Sequence, residues 1–246
     1  MDNDNQFNTV ATTLISHLTE LRKRLIRAFA LVICLFFILV HWAPQIYNLF
    51  IYPLNKLLPS NSHLVFGDVT SAFMVPIKVT FLLAFLISLP WVLYQIWAFV
   101  APGLYNNEKK LILPLILSSY MLFWLGIFFV YFVILPMVFK FMVGYSASTG
   151  TPMLTQATEY LDFVIQLFVS FGIIFEIPVA IIILNKMGII GTHKLSQMRP
   201  YVIVASFIIA AVITPPDPFS QILMAVPICL LYELGLLIVK KWGNNC

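Results

Sequence analysis

The sequence predicts an all-α membrane protein with six transmembrane helices, and three observations carry that prediction. Hydrophobic residues make up 61% of the 246 residues and charged residues 10%, more apolar surface than a soluble core of this size can hide. The apolar residues gather into six runs, roughly 25–42, 73–101, 114–139, 160–184, 201–214 and 219–239. Most of the Lys and Arg residues fall at the N-terminal end, in alternate loops and at the C-terminal end. By the positive-inside rule this places both termini in the cytoplasm, within one polytopic membrane domain spanning residues 1–246.

A polar tail and the cluster Arg22, Lys23, Arg24 and Arg27 precede the first run. In LISHLTELRKRLIRAF, Leu14, Leu18, Leu21 and Leu25 recur at helical spacing, while His17, Glu20, Arg24 and Arg27 form a polar stripe. This reads as an interfacial amphipathic helix in which Glu20 and Arg24 pair at i, i+4. A cleaved signal peptide is the competing reading, but VHWAPQ lacks a small-x-small cleavage site. The outer loop from Ala43 to Ala72 carries IYNLFIYPLNKLL, whose apolar density predicts an element lying on the outer interface or capping the bundle.

The second run holds Pro76 and Pro90, which should kink or interrupt it. The loop AFVAPGLYNNEKK sets Glu108 beside Lys109 and Lys110, by itself a solvated acid. Pro114 opens the third run, where a missing N–H costs nothing. The fourth, SFGIIFEIPVAIII, buries Glu176 two residues before Pro178. At about 100° per residue, Asp162, Val169, Gly172 and Ala180 fall within about 40° of Glu176 and Gln166 within about 80°, so one side is polar or small. An intramembrane acid is a functional position by default, although it can also serve only to fix helix packing.

The fifth run, between Pro200 and the turn TPPDP, has about 14 residues or about 21 Å of helix. The same distance forward from Phe219 reaches Glu233. Two short arms make either a re-entrant hairpin or two spans across thinned bilayer. Anchoring of the last helix by Lys240 and Lys241 favours spans. Asp217 is placed to cap the sixth helix, which Pro227 interrupts or bends. With four interior prolines, the expected bundle is kinked and concave.

Several chemistries find no support. Cys34, Cys229 and Cys246 are too scattered for a disulfide framework. There is no glycine-rich phosphate loop, and His17, His41, His63 and His193 lack metal-ligand spacing. The expectation is a non-enzyme without metal, cofactor or nucleic-acid partner. A secondary transporter of a small solute, with Glu176 as its proton or ion site, is the alternative of another class. It predicts internal repeats and paired broken helices, and no convincing repeat is visible.

Taken in order, HLTELRKRL, DVTSAF, YQIWAFVAPGLYNNEKK, FGIIFEIPVA, MRPY, TPPDPFSQ and YELG cover nearly the whole chain. Together they resemble the TatC family of twin-arginine translocase subunits. The resemblance implies a receptor and core subunit in the bacterial inner membrane that recognises the Arg-Arg signal peptides of folded precursors. It implies export driven by the proton-motive force, partner subunits of the single-span TatA and TatB type, self-association in a receptor complex, and contact with membrane lipids. It also places Glu20 and Glu108 where the arginine pair docks and marks Arg22, Pro53 and Phe99 as sensitive positions. Thr214 and Gln221, flanking Asp217, help to receive a partner helix, and Glu176 with Gln166 becomes a polar point on a concave surface that contacts signal peptide or partner. Two carboxylates suit two arginines, because a guanidinium fork can make parallel bonds that an ammonium cannot.

Overall fold

The computed structural model describes residues 2–55, 64–100, 112–149, 155–214 and 218–243. Glu108 and Asp217 lie outside the described residues. Helix α1 (Asp2–Leu39) passes through a 3-10 turn (Val40–Trp42) into α2 (Ala43–Asn55), and α3 (Ser71–Val100) follows. Next come α4 (Ile112–Phe129), a π turn (Val130–Ile134) and α5 (Leu135–Thr149). The fourth run forms two helices, α6 (Ala157–Ile174) and α7 (Ile177–Lys186). A short α8 (Thr192–Gln197) leads to α9 (Arg199–Ile213) and α10 (Pro218–Gly243).

Five helical stretches among the described residues are long and apolar enough to cross a membrane: Leu18–Ile51, Ser71–Phe99, Leu113–Tyr145, Ala157–Lys186 and Pro218–Lys241. Of the two final arms expected to be short only one is: Arg199–Ile213 has 15 residues, about 22 Å at about 1.5 Å per residue, whereas α10 has 26 residues because its helix runs on past Glu233 to Gly243. All six predicted runs are thus helical, and two have boundaries that the apolar pattern did not mark. The first run continues past Trp42 because α2 follows the 3-10 turn directly. There Ile51 is buried and Phe50 meets Phe168 of α6 edge-on, with centroids 6.1 Å apart, which is how the outer element caps the bundle. The third run extends past Lys140 to Thr149, where Phe141 stacks on Phe219 of α10 at 4.3 Å.

Prolines act according to their place. Pro200 lies in the first turn of α9 and Pro114 is the third residue of α4, where no helical acceptor is lost. Pro178 lies in the first turn of α7, immediately beyond a real break: the Glu176 N–H bonds back only three residues, to the Ile173 carbonyl at 3.0 Å. Pro76, Pro90 and Pro227 lie inside helices that remain continuous. At Pro76 the nearby Thr80 hydroxyl donates to the proline carbonyl at 2.7 Å. The π turn has its own cause in Pro136, whose absent N–H and bulky ring disfavour a regular turn ahead of it. The Leu135 N–H bonds to the Val130 carbonyl five residues back.

Packing runs α1 on α3, α4 on α6, and both α7 and α9 on α10. The deepest stripe belongs to α6, where Leu161, Val164, Leu167, Phe168 and Phe171 are buried at helical spacing. Glycines allow the closest approach. A Cβ on Gly126 of α4 would lie 2.7 Å from the Phe171 carbonyl oxygen, and one on Gly172 would meet the Phe123 ring at 2.4–2.8 Å. A two-residue parallel pairing, Leu64 with Thr155 and Val65 with Gln156, joins the segment before α3 to the one before α6. Asp68 fixes the start of α3: its Oδ1 accepts the Ser71 hydroxyl and N–H, both at 2.7 Å, and the Thr70 hydroxyl at 2.9 Å. These bonds, led by that of the Ser71 side chain, hold the carboxyl below its ordinary range.

Candidate functional site

An apolar groove of about 400 Å³ opens between α1 and α3, with Val169 of α6 in its lining. Leu21, Leu25, Phe29, Phe81, Phe85 and Phe99 supply its larger apolar side chains, and Arg24 and Gln95 are its polar members. Among the described side chains of α1 only Ala28 and Val32 are buried, so the helix touches the bundle along a narrow stripe and leaves the groove open beside it. Glu20 lies one helical turn from Arg24, and the expected pair forms: Arg24 Nη2 and Nε donate to Glu20 Oε1 at 2.6 and 2.9 Å. The pair is only partly buried, with 39% of the Glu20 and 22% of the Arg24 side chain exposed. Such an i, i+4 contact is worth roughly 0.3–0.5 kcal/mol, little enough for an incoming guanidinium to replace. Arg22 is exposed, and Pro53 lies in α2.

Glu176 sits at the break between α6 and α7, half-buried, with both carboxylate oxygens inside the protein and without a hydrogen-bond partner. The Ser119 hydroxyl of α4 faces it without reaching hydrogen-bond geometry. That hydroxyl accepts the Trp97 indole N–H at 3.0 Å, joining α3 to α4 beside the acid. Phe129 packs on Phe171 and Phe175, with centroids 5.9 and 5.7 Å away, so aromatic rings brace the break.

The polar side expected of the fourth run is divided between neighbours. Gly172 faces α4 through Phe123, and so does Glu176 through Ser119. Farther along, Asp162 accepts Lys78 of α3 with both oxygens at 2.7 Å, and the Gln166 amide reaches the Val212 carbonyl of α9 at 3.4 Å. Asp162 and Gln166 are exposed. The helical projection treated the run as one continuous helix, whereas the chain turns at Phe175 and Glu176.

At the α9–α10 turn Thr214 is buried, and its hydroxyl and N–H both bond to the Ala210 carbonyl, at 2.8 and 2.9 Å. Gln221 of α10 donates to the Phe207 carbonyl at 3.1 Å. Both side chains therefore satisfy carbonyls of the last turns of α9. Beside them α9 displays an exposed apolar face that includes Val204, Ile208 and Val212.

Several polar contacts escaped sequence reasoning although their motifs did not. Arg199 of MRPY pairs with Glu233 of YELG, Nη2 to Oε2 at 2.8 Å and Nε to Oε1 at 2.7 Å. Tyr232, from the same motif, donates to the Leu195 carbonyl at 2.7 Å. Together they tie α8 and α9 to α10. Opposite charges 34 residues apart carry no local signal that would pair them.

The family profile described as "Sec-independent protein translocase protein (TatC)" matches residues 16–227. The chain belongs to the TatC family. The Sec-independent protein translocase protein TatC of Haemophilus influenzae is 45% identical over 227 residues, covering 92% of this chain and 88% of that protein. TatC of Escherichia coli K12 is 46% identical over 223 residues, covering 91% and 86%. A crystal structure described as the twin-arginine translocase receptor TatC superposes with a TM-score of 0.81 at 37% identity, covering 92% of this chain and 98% of that one. The family is described as a protein translocase component, which does not favour the solute-transporter alternative.

Proposed function

We propose that this chain is the receptor and core subunit of a twin-arginine export system, a single polytopic domain in the bacterial inner membrane with both termini cytoplasmic. The observation that carries this reading is the position of Glu20 beside the α1–α3 groove. A twin-arginine signal peptide offers the complementary order, cationic residues followed by an apolar stretch of about 7–15 residues. Glu20 and Glu108 receive the arginine pair, Arg22 and Phe99 shape the mouth, and the groove takes the apolar stretch. Arg24 holds the Glu20 carboxylate in position until the ligand's guanidinium replaces it.

Thr214, Asp217 and Gln221, with the exposed face of α9, receive the single-span helices of TatA- and TatB-type subunits. Glu176 and Gln166 supply polar points along the path of signal peptide or partner, and Pro53, within α2, is a further sensitive position. With those partners and copies of itself the chain carries folded precursors across the membrane at the expense of the proton-motive force.

Site-specific photocrosslinking tests the receptor reading. A probe at Phe99 should capture an Arg-Arg precursor in native membranes and lose at least about tenfold in yield when the pair is Lys-Lys. Equal capture of both precursors would remove the basis for the Glu20 and Glu108 assignment.

A further inference from the structure

The lining of the α1–α3 groove holds one polar group that takes no part in the receptor reading. Gln95 of α3 is 3% exposed among apolar neighbours, and its side-chain Oε1 has no hydrogen-bond partner. A buried acceptor in that condition costs free energy, and an apolar side chain of the same shape would remove the cost. The groove's other polar member is Arg24, whose guanidinium carries five N–H donors and cannot shed its charge.

Two contacts set the register of these helices. The Trp91 indole N–H donates to the Arg27 carbonyl at 3.4 Å, and the Phe36 and Phe81 rings meet with centroids 5.8 Å apart. Since the later residue of α1 meets the earlier residue of α3, the two helices run antiparallel. Arg24 lies three residues before Arg27 and Gln95 four residues after Trp91, which carries both in one direction, by about 4.5 and about 6 Å. They therefore stand at one level of the same groove. Glu20 lies one further turn along α1 and holds Arg24 through Nε and Nη2. Arg24 is thus placed between two acceptors, a carboxylate that it uses and an amide oxygen that it does not.

We infer that Gln95 is a positioning residue for Arg24: when the ligand's arginine takes the Glu20 carboxylate, the Arg24 guanidinium turns to Gln95 Oε1. This exchange presupposes that Glu20 receives an arginine of the signal peptide, as proposed above, and gives the displaced cation a destination. Without an acceptor at its own level, Arg24 would stay beside Glu20 as a like charge facing the incoming guanidinium, or would leave the groove for water. An apolar peptide segment that fills the groove brings no donor for Gln95 and excludes water, which strengthens the charged hydrogen bond that Arg24 makes there. Gln95 therefore favours the occupied groove without touching the ligand.

The test is equilibrium binding of a fluorescent Arg-Arg signal peptide to the full chain in lipid nanodiscs, with Gln95→Met, Arg24→Ala and the two combined. Gln95→Met keeps the length of the side chain and removes the acceptor. It should weaken binding about tenfold or more, yet change the affinity of the Arg24→Ala chain less than about twofold. Thermal unfolding of the unliganded chain separates this from a packing defect, since Gln95→Met should unfold no earlier than the wild type once the unpaired acceptor is gone. Gln95→Glu, which keeps an acceptor in place, should bind at least as tightly as the wild type. Wild-type affinity in Gln95→Met, or an equal loss with and without the Arg24 side chain, would overturn the exchange. Earlier unfolding of Gln95→Met together with weak binding by Gln95→Glu would do so too, by making Gln95 a packing residue. Equal binding of Arg-Arg and Lys-Lys peptides by the wild type would instead remove the receptor reading on which the exchange depends.

Discussion

Glu20, Asp162 and Glu176 each do what their immediate surroundings permit. Glu20 is held by a neighbour one helical turn away, Asp162 by a lysine 84 residues distant, and Glu176 by no hydrogen bond at all. For Glu20 the expected result of Glu20→Gln is at least about a tenfold loss of precursor crosslinking with little change in folding, since the lost intramolecular pair is worth only tenths of a kcal/mol. At Glu176, Glu176→Gln and Glu176→Leu differ in what they remove. Export that falls in both by a similar factor assigns the role to negative charge, and export retained in Gln but lost in Leu assigns it to polarity; normal export in both would leave packing only. Asp68 gives the pH prediction. Its carboxyl titrates below the ordinary range in the folded chain, so its contribution is present above the unfolded carboxylate pKa of about 4 and is lost as pH falls through the lower folded value. Thermal unfolding in detergent should therefore show Asp68→Asn less stable than the wild type at neutral pH, with the difference closing below about pH 4.

The elements differ in how tightly their neighbours define them. The α4–α6 contact has no spare space, because Gly126 and Gly172 each face atoms closer than a Cβ allows. Gly126→Val should lower stability by about 1–3 kcal/mol through overpacking against the Phe171 backbone. Gly144 in α5 meets nothing within 4 Å, so Gly144→Ala should stabilise the chain by about 0.5–1 kcal/mol. Unfolding curves for the two variants, recorded side by side, separate packing from helix propensity. At the other end of the bundle, Arg199 and Glu233 are each about two-fifths exposed. A double-mutant cycle on them should return a coupling of about 0.2–1 kcal/mol, smaller than the effect at Gly126.

At the scale of the whole molecule, topology is the property that the receptor reading most depends on. Single cysteines at Val69, which is 93% exposed in the outer segment, and at Lys240 should label from opposite sides of the membrane in a chain whose native cysteines are replaced. Labelling of both from one side would contradict the orientation drawn from the basic residues. Much of the rest was readable. Apolar runs of membrane length become helices because an unpaired backbone group in hydrocarbon is too costly for any other local solution. The start of α4, the start of α9 and the break before α7 were marked by Pro114, Pro200 and Pro178, because a missing N–H is tolerated in the first turn and little elsewhere. The Glu20–Arg24 pair was visible because a helix fixes the distance between positions four apart.

What the sequence could not decide has one physical cause: it depends on how separate helices meet. The joining of Arg199 to Glu233, Lys78 to Asp162 and Trp97 to Ser119 is set by helix packing, and so is the division of the fourth run's polar side among α3, α4 and α9. The α1–α3 groove is a space between elements, to which no single stretch of sequence corresponds. The sequence by itself determined an all-helical membrane chain and the residues able to carry charge within it. Only the tertiary structure decided which of those charges are spent on joining one helix to another, because burial and partnership are properties of contacts between distant segments.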